Sequence, residues 1–342
     1  MNVTAPIELS STVFADQERS WGCARGWDFL GNVPVPLRQW IRDSLAETLL
    51  GRDDLKCCMP LGQGGRGPFE RLRQIRRLAD FPAMLVSAEH GNVFNRAFHR
   101  TYVEQGAFSA CQPEGVAEVF RPMLDPKGWV GVYSVAPFVM LVDKTQLGNL
   151  PVPRRWADLL EPDYRGQVVF SGWKPPGAGP FRQINLFFLL CMVRRFGMAG
   201  LDRLLANVPT LMHSTVMPRI AGGGASVAGI YILPWSLACL CPRRAETELV
   251  WSEDGAWAYP LWLTVKDGEQ QRMQSLIAHF TGEGLAAYLN YNRYPALCPT
   301  GVLDLPPGAS LAWPGWEMIR HPSTAALLKA IRAHALEALP CG

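Results

Sequence analysis

Apolar and polar positions along the chain follow two rhythms, one of period two and one near 3.6, and the rhythm switches at turn residues. In the first half, Trp27–Gly31, Leu55–Met59 and Ala83–Val86 are short apolar runs and are expected to be strands. Between them, Pro36–Leu50 carries Leu37, Trp40, Ile41 and Leu45 at helical spacing behind a proline, which suits a first helical turn. Phe69–Leu78, Asn92–Gln105 and Val116–Leu124 are expected to be helices, the first with a basic outer face. Strands alternating with helices in this way predict a mostly parallel sheet covered by helices.

Trp129–Tyr133 and Pro137–Val142 are two apolar runs separated by Ser-Val-Ala. They read as strands carrying the chain from one lobe into a second. The alternation then resumes with Trp156–Leu160 (helix), Gln167–Phe170 (strand), Pro180–Phe196 (long helix), Leu201–Ala206 (helix) and Thr210–His213 (extended). Val216–Ala221 is a helical turn stopped by Gly222–Gly224, and Val227–Leu233 and Leu249–Trp251 are strands. Tyr259–Val265 is a further crossing strand, Glu269–Thr281 and Gly284–Asn290 are helices, Pro295–Pro314 wraps the surface, and Thr324–Leu339 closes the chain as a helix.

Composition narrows the class. With 342 residues, 48% of them hydrophobic, the chain can build one large or two ordinary domains. Charged residues are only 18%, which argues against disorder. The net charge of +3 comes from 33 basic and 30 acidic residues that are interspersed, so no nucleic-acid partner is expected. The longest apolar run, Ile184–Val193, is bracketed by Arg182 and Arg194 and is about half the length of a membrane span, so the protein is not expected to be membrane-embedded. The opening MNVTAPIELSSTVFADQERSW has neither a basic nor an apolar leader region. The expectation is therefore cytoplasmic as the sequence stands, or periplasmic if a leader is missing. The 9 cysteines are odd in number and irregularly spaced, which suits reduced thiols.

Motifs for chemistry are few. Gly62–Gly67 resembles a phosphate loop but lacks the closing Gly-Lys-Ser/Thr. Cys57–Cys58 and Cys239–Cys241 do not have zinc-knuckle spacing, and the 6 histidines are scattered. Nucleophile-elbow, metalloprotease and kinase signatures are absent. The expectation is no catalysis, no metal and no cofactor.

Four stretches carry a resemblance. They are RWADLLEPDYRG (155–166) running into Gln167–Phe170, IAGGGASVAGIY (220–231), DGAWAYP (254–260) and the helical region Gln274–Tyr291. Together they resemble the extracellular solute-binding proteins of ABC transporters, in the iron- and polyamine-type branch. The resemblance covers about residues 25–340. It implies an α/β type II periplasmic-binding-protein-like fold of two lobes, each a mixed, mostly parallel sheet flanked by helices. Residues 1–133 and 259–342 would form lobe 1 and 134–258 lobe 2, with crossings near 131–137 and 256–262. It further implies a small polar or anionic solute bound without catalysis in a cleft by lobe closure, an ABC permease as partner, and a monomer. Iron binding does not follow. Ferric-binding relatives show paired tyrosines after the second-lobe strand, and Ile230–Trp235 has only Tyr231. A cytosolic sensor or carrier, or an enzyme on the same scaffold, is the alternative.

In such sheets ligands sit beyond the carboxyl ends of strands, near helix N-termini. This nominates Ser87, Glu89, His90 and Asn92 after one strand, Ser134 between the crossing strands, and Ser171, Gly177 and Gly179 before a helix. Tyr231, Trp235, Trp257 and Tyr259 are added as aromatics at strand ends, able to give apolar area with a polar tip.

Overall fold

The computed structural model describes Phe14 and residues 26–61, 68–88, 93–172, 183–299 and 305–339. Its first longer elements are β1 (Phe29–Gly31), α1 (Arg38–Thr48), β2 (Cys57–Cys58), β3 (Met84–Ser87), β4 (Phe108–Ser109), β5 (Gly131–Asp143) and β6 (Val168–Phe170). There follow α2 (Gln183–Ala206), β7 (Ile230–Pro234), β8 (Thr247–Val250), β9 (Ala256–Lys266), α3 (Gln274–Thr281), α4 (Glu283–Tyr291), β10 (Leu311–Ala312) and α5 (Thr324–Ala338). Contacts group the chain into two compact units. Unit 1 is Met1–Val135, Pro260–Tyr291 and Pro295–Leu303; unit 2 is Ala136–Tyr259, Asn292–Tyr294 and Asp304–Gly342.

In unit 1, β2, β1 and β3 run parallel, with Phe29 beside Cys57 and Met84, and β3 pairs antiparallel with the last part of β9, Ser87 opposite Trp262. Strands covered on both faces read as continuous apolar runs, and all four residues of β3 are buried. On α1 the inward stripe is Arg38, Ile41, Arg42 and Leu45. The two guanidinium groups reach out of it to donate to the carbonyls of Leu61 and Met59, both at 2.8 Å, which ties the helix to the segment after β2. Trp40, expected on the apolar stripe, is 39% exposed and stacks on Tyr288 at 3.9 Å.

Two expected helices of unit 1 are broken. Phe69–Leu78 yields only a helical turn at Pro68–Arg71 and 3-10 turns at Leu72–Gln74 and Leu78–Asp80. Asn95 donates its amide to the carbonyls of Arg73 and Ile75, at 3.1 and 2.7 Å, where a continued helix would use them itself. Val116–Leu124 becomes a 3-10 helix, Glu118–Met123, because Pro122 has no N–H for an α-helical ladder.

The two apolar runs around Ser134 form one continuous 13-residue strand, β5, rather than two. Pro137 fits inside it because the ladder to β7 begins one residue later, at Phe138 opposite Pro234. The boundary between the units falls within this strand, after Val135, and again within β9, after Tyr259.

Unit 2 has β6 parallel to β7, with β7 and β8 antiparallel to β5 and β10 parallel to the start of β9. In the stretch 155–166 each of the resembling residue types has a structural task. Trp156 is fully buried and donates its indole N–H to the carbonyl of Gly255 at 2.8 Å. Asp158 accepts the N–H groups of Arg154 and Arg155, Tyr164 donates to the carbonyl of Pro151, and Gly166 takes φ +75 to turn into β6. Helix α2 breaks at Gly197 (φ 69), which separates the two helices expected there. Residues 304–342, assigned to the first lobe from sequence, group with unit 2 instead. The reason is packing: α5 lies along α2, β10 pairs with β9, and Trp313 meets Phe187 at 5.8 Å.

Candidate functional site

Ser87 is the last residue of β3 and 1% exposed; Ser171 follows β6 directly and is 9% exposed. Each stands at the carboxyl end of a strand that has a parallel neighbour, β1 for Ser87 and β7 for Ser171. A short bridge to Met212 holds the backbone of Ser171. Glu89, His90, Asn92, Gly177 and Gly179 lie outside the described residues. Ser134 sits inside β5, fully buried, in a bridge with Ala296, and not in a linker between strands.

The four aromatic candidates are packed within unit 2. Tyr231 is fully buried, and its hydroxyl serves the loop before its own strand: the N–H groups of Val227 and Ala228 donate to it at 3.0 and 3.3 Å, and Ser226 Oγ lies at 2.8 Å. Trp235 meets Trp251 edge-on at 5.5 Å and lies under the Arg293 guanidinium. Tyr259 meets Phe187 edge-on at 4.9 Å. Trp257 stacks on Trp156 at 6.0 Å; its indole N–H is buried and meets no acceptor among the described residues.

Asn185 is a residue that the sequence reading passed over. It lies in the first turn of α2, is 3% exposed, and its Oδ1 is buried without a donor among the described residues. A signal for it is visible: Asn185 is the one amide in the apolar run Ile184–Val193. Polar groups in such a setting are normally satisfied, so each exception needs a reason.

Unit 1 also carries a groove of about 460 Å³, lined by Cys111, Gln112, Gln270, Gln271, Gln274, Ile277 and Thr281. Gln274, Ile277 and Thr281 form one stripe of α3, at spacings of three and four. The opposite wall is placed by Gln112, whose side-chain amide donates to the carbonyl of Val132 at 2.6 Å and accepts its N–H at 2.9 Å, as a neighbouring strand would. Cys111 beside it takes φ 43, a left-handed value uncommon for a residue with a side chain. Among the described residues there is no group of three or more His, Cys, Asp or Glu placed to hold a metal, and no helix is long and apolar enough to cross a membrane.

Solved structures with the same fold are numerous. A two-component system protein of signal transduction superposes with a TM-score of 0.59 at 11% identity, covering 89% of this chain and 99% of its own. The apo ferric ion-binding protein A of Pasteurella haemolytica gives 0.58 at 14% identity, covering 91% of this chain and 96% of its own. The periplasmic binding protein AfuA of Actinobacillus pleuropneumoniae, solved with fructose 6-phosphate bound, gives 0.56 at 12% identity, covering 90% and 97%. These likenesses establish the type II periplasmic-binding-protein fold. No curated protein matches the chain by sequence. A family model described as bacterial extracellular solute-binding protein matches residues 79–322. On that match, which spans well over half of its length, the chain belongs to the bacterial extracellular solute-binding proteins, which bind a solute for ABC transport.

Proposed function

We propose that the solute is small and polar or anionic, and that Ser171 with Asn185 in unit 2 contact it, with Ser87 in unit 1 a separate candidate contact. The observation that carries this reading is the buried Oδ1 of Asn185, which meets no donor among the described residues, in the first turn of the helix that follows β6 and Ser171. A strand's carboxyl end followed by a helix N-terminus is where α/β sheets take polar and anionic ligands. Glu89, His90 and Asn92 follow Ser87 in sequence, as Gly177 and Gly179 follow Ser171, and they stay in the proposal on that ground. Tyr231, Trp235 and Tyr259 are better read as packing, given their ring contacts and the loop bonds of the Tyr231 hydroxyl.

Among the solutes of similar structures, a phosphate ester suits this site better than ferric iron. The single tyrosine of β7 already accepts two backbone N–H groups, whereas strand-end hydroxyls and a helix start suit a phosphate. An ABC permease is the expected partner, and the working place is outside the cytoplasmic membrane. Thiols do not oppose that placement. Burial pushes Cys57 up to about 12, helped by the Asp28 carboxylate, and Cys58 up to about 11, so neither offers a reactive thiolate.

The test is calorimetric titration with fructose 6-phosphate and with ferric citrate. Ser171→Ala and Asn185→Ala should each weaken phosphate-ester binding about tenfold or more, the loss of one hydrogen bond to a charged group. Asn185→Asp should weaken it further by like-charge repulsion. Equal affinity across parent and variants would remove these residues from the site.

A further inference from the structure

The amide-lined groove of unit 1 belongs to neither proposed strand end, and its chemistry differs from theirs. All seven lining residues are uncharged, and four of them are glutamines. A charged ligand there would lose hydration with no counter-charge to replace it. The two charges adjacent to the lining residues in sequence, Glu269 and Arg272, are turned to each other: the Arg272 guanidinium pairs with Glu269 and with Asp28, both at 2.7 Å.

A carboxamide presents a donor and an acceptor side by side, the pattern that neighbouring hydroxyls on a sugar ring answer. Two of the amides are fixed in advance. Gln112 is held by both bonds to Val132, and Gln270 donates to Ser109 Oγ at 2.9 Å and Asp267 Oδ1 at 3.2 Å. Gln271 and Gln274 are exposed and available. Ile277 and Cys111 add an apolar strip suited to the C–H face of a ring. The left-handed backbone at Cys111 is strain of the kind that gathers at ligand sites.

We propose that this groove is a second binding site, for a neutral, hydroxyl-rich ligand of mono- or disaccharide size, separate from the transported solute.

Cys111 supplies the reporter. Its alkylation by iodoacetamide is followed by peptide mass mapping, with Cys239, a half-buried thiol of unit 2, as internal control. The probes are maltose and N-acetylglucosamine, with glucuronate as the charged counterpart. At a sugar concentration of about twice the Kd, labelling of Cys111 should slow about threefold by simple occupancy, while Cys239 is unaffected. Glucuronate should give no protection. The double variant Gln271→Ala, Gln274→Ala changes only exposed side chains and should abolish protection while leaving the melting temperature unchanged. The proposal is overturned if neither neutral sugar slows labelling at Cys111, if glucuronate protects equally, or if protection persists in the double variant.

Discussion

Asp143 shows how much one buried carboxylate can organise. It is fully buried at the end of β5, where Oδ1 accepts the N–H groups of Thr145 and Gln146 and Oδ2 accepts that of Gly222 at 2.7 Å. It therefore caps the helical turn after β5 and anchors the glycine turn at 222, itself at φ +72. Asp143→Ala leaves three N–H groups without acceptors and should cost about 3 kcal/mol, read from the urea midpoint. Asp143→Asn keeps one accepting oxygen and should recover part of the loss. An alanine variant as stable as the parent would show that water satisfies those groups. Asp143 was invisible in the sequence because a carboxylate after an apolar run looks like an ordinary strand end. The aromatics show the opposite limit. Tyr231 and Trp257 stand at plausible strand ends, but one chain cannot reveal that a loop N–H or the ring of Trp156 already occupies their faces.

Most elements were legible because they depend on local periodicity. The run Ala83–Val86, the break between the two helices at Gly197 and the last helix all follow from apolar spacing and one glycine. The failures share a physical cause. The segment after residue 71 loses its helix to Asn95, a distant side chain that takes the carbonyls, and β5 continues through Ser134 because Ala296 pairs with it. At this scale α1 and α3 are joined by a half-buried imidazole: His279 lies between Ser44 Oγ and Thr48 Oγ1, each at 3.3 Å. Burial pulls it from 6.5 down to about 4, so the folded state favours the neutral ring. The unfolded chain then binds the proton more readily. Stability is fully present above pH 6.5 and falls as pH drops from there towards 4, by up to about 3 kcal/mol. His279→Gln should flatten that acid slope in denaturant titrations between those values. An unchanged slope would mean that other groups carry it.

At the scale of the whole chain, the order of elements and four short stretches led to the right family. Residues 304–342 group differently from the sequence expectation. A closing helix shows which of its faces is apolar but not which partner covers it, and α2 proved to be that partner. The identity of the solute is less legible still, because it depends on a few polar atoms brought together from distant positions. Membership of the solute-binding family makes the capture of a small solute the central claim, and we propose that the solute is released unaltered. The direct measurement is native mass spectrometry of the gently purified protein, followed by titration of whatever it retains and chemical analysis of the recovered ligand. One solute per chain, recovered intact and adding about 2.7 kcal/mol of stability at a hundred times its Kd, is the predicted result. Recovery of a chemically converted product would contradict it.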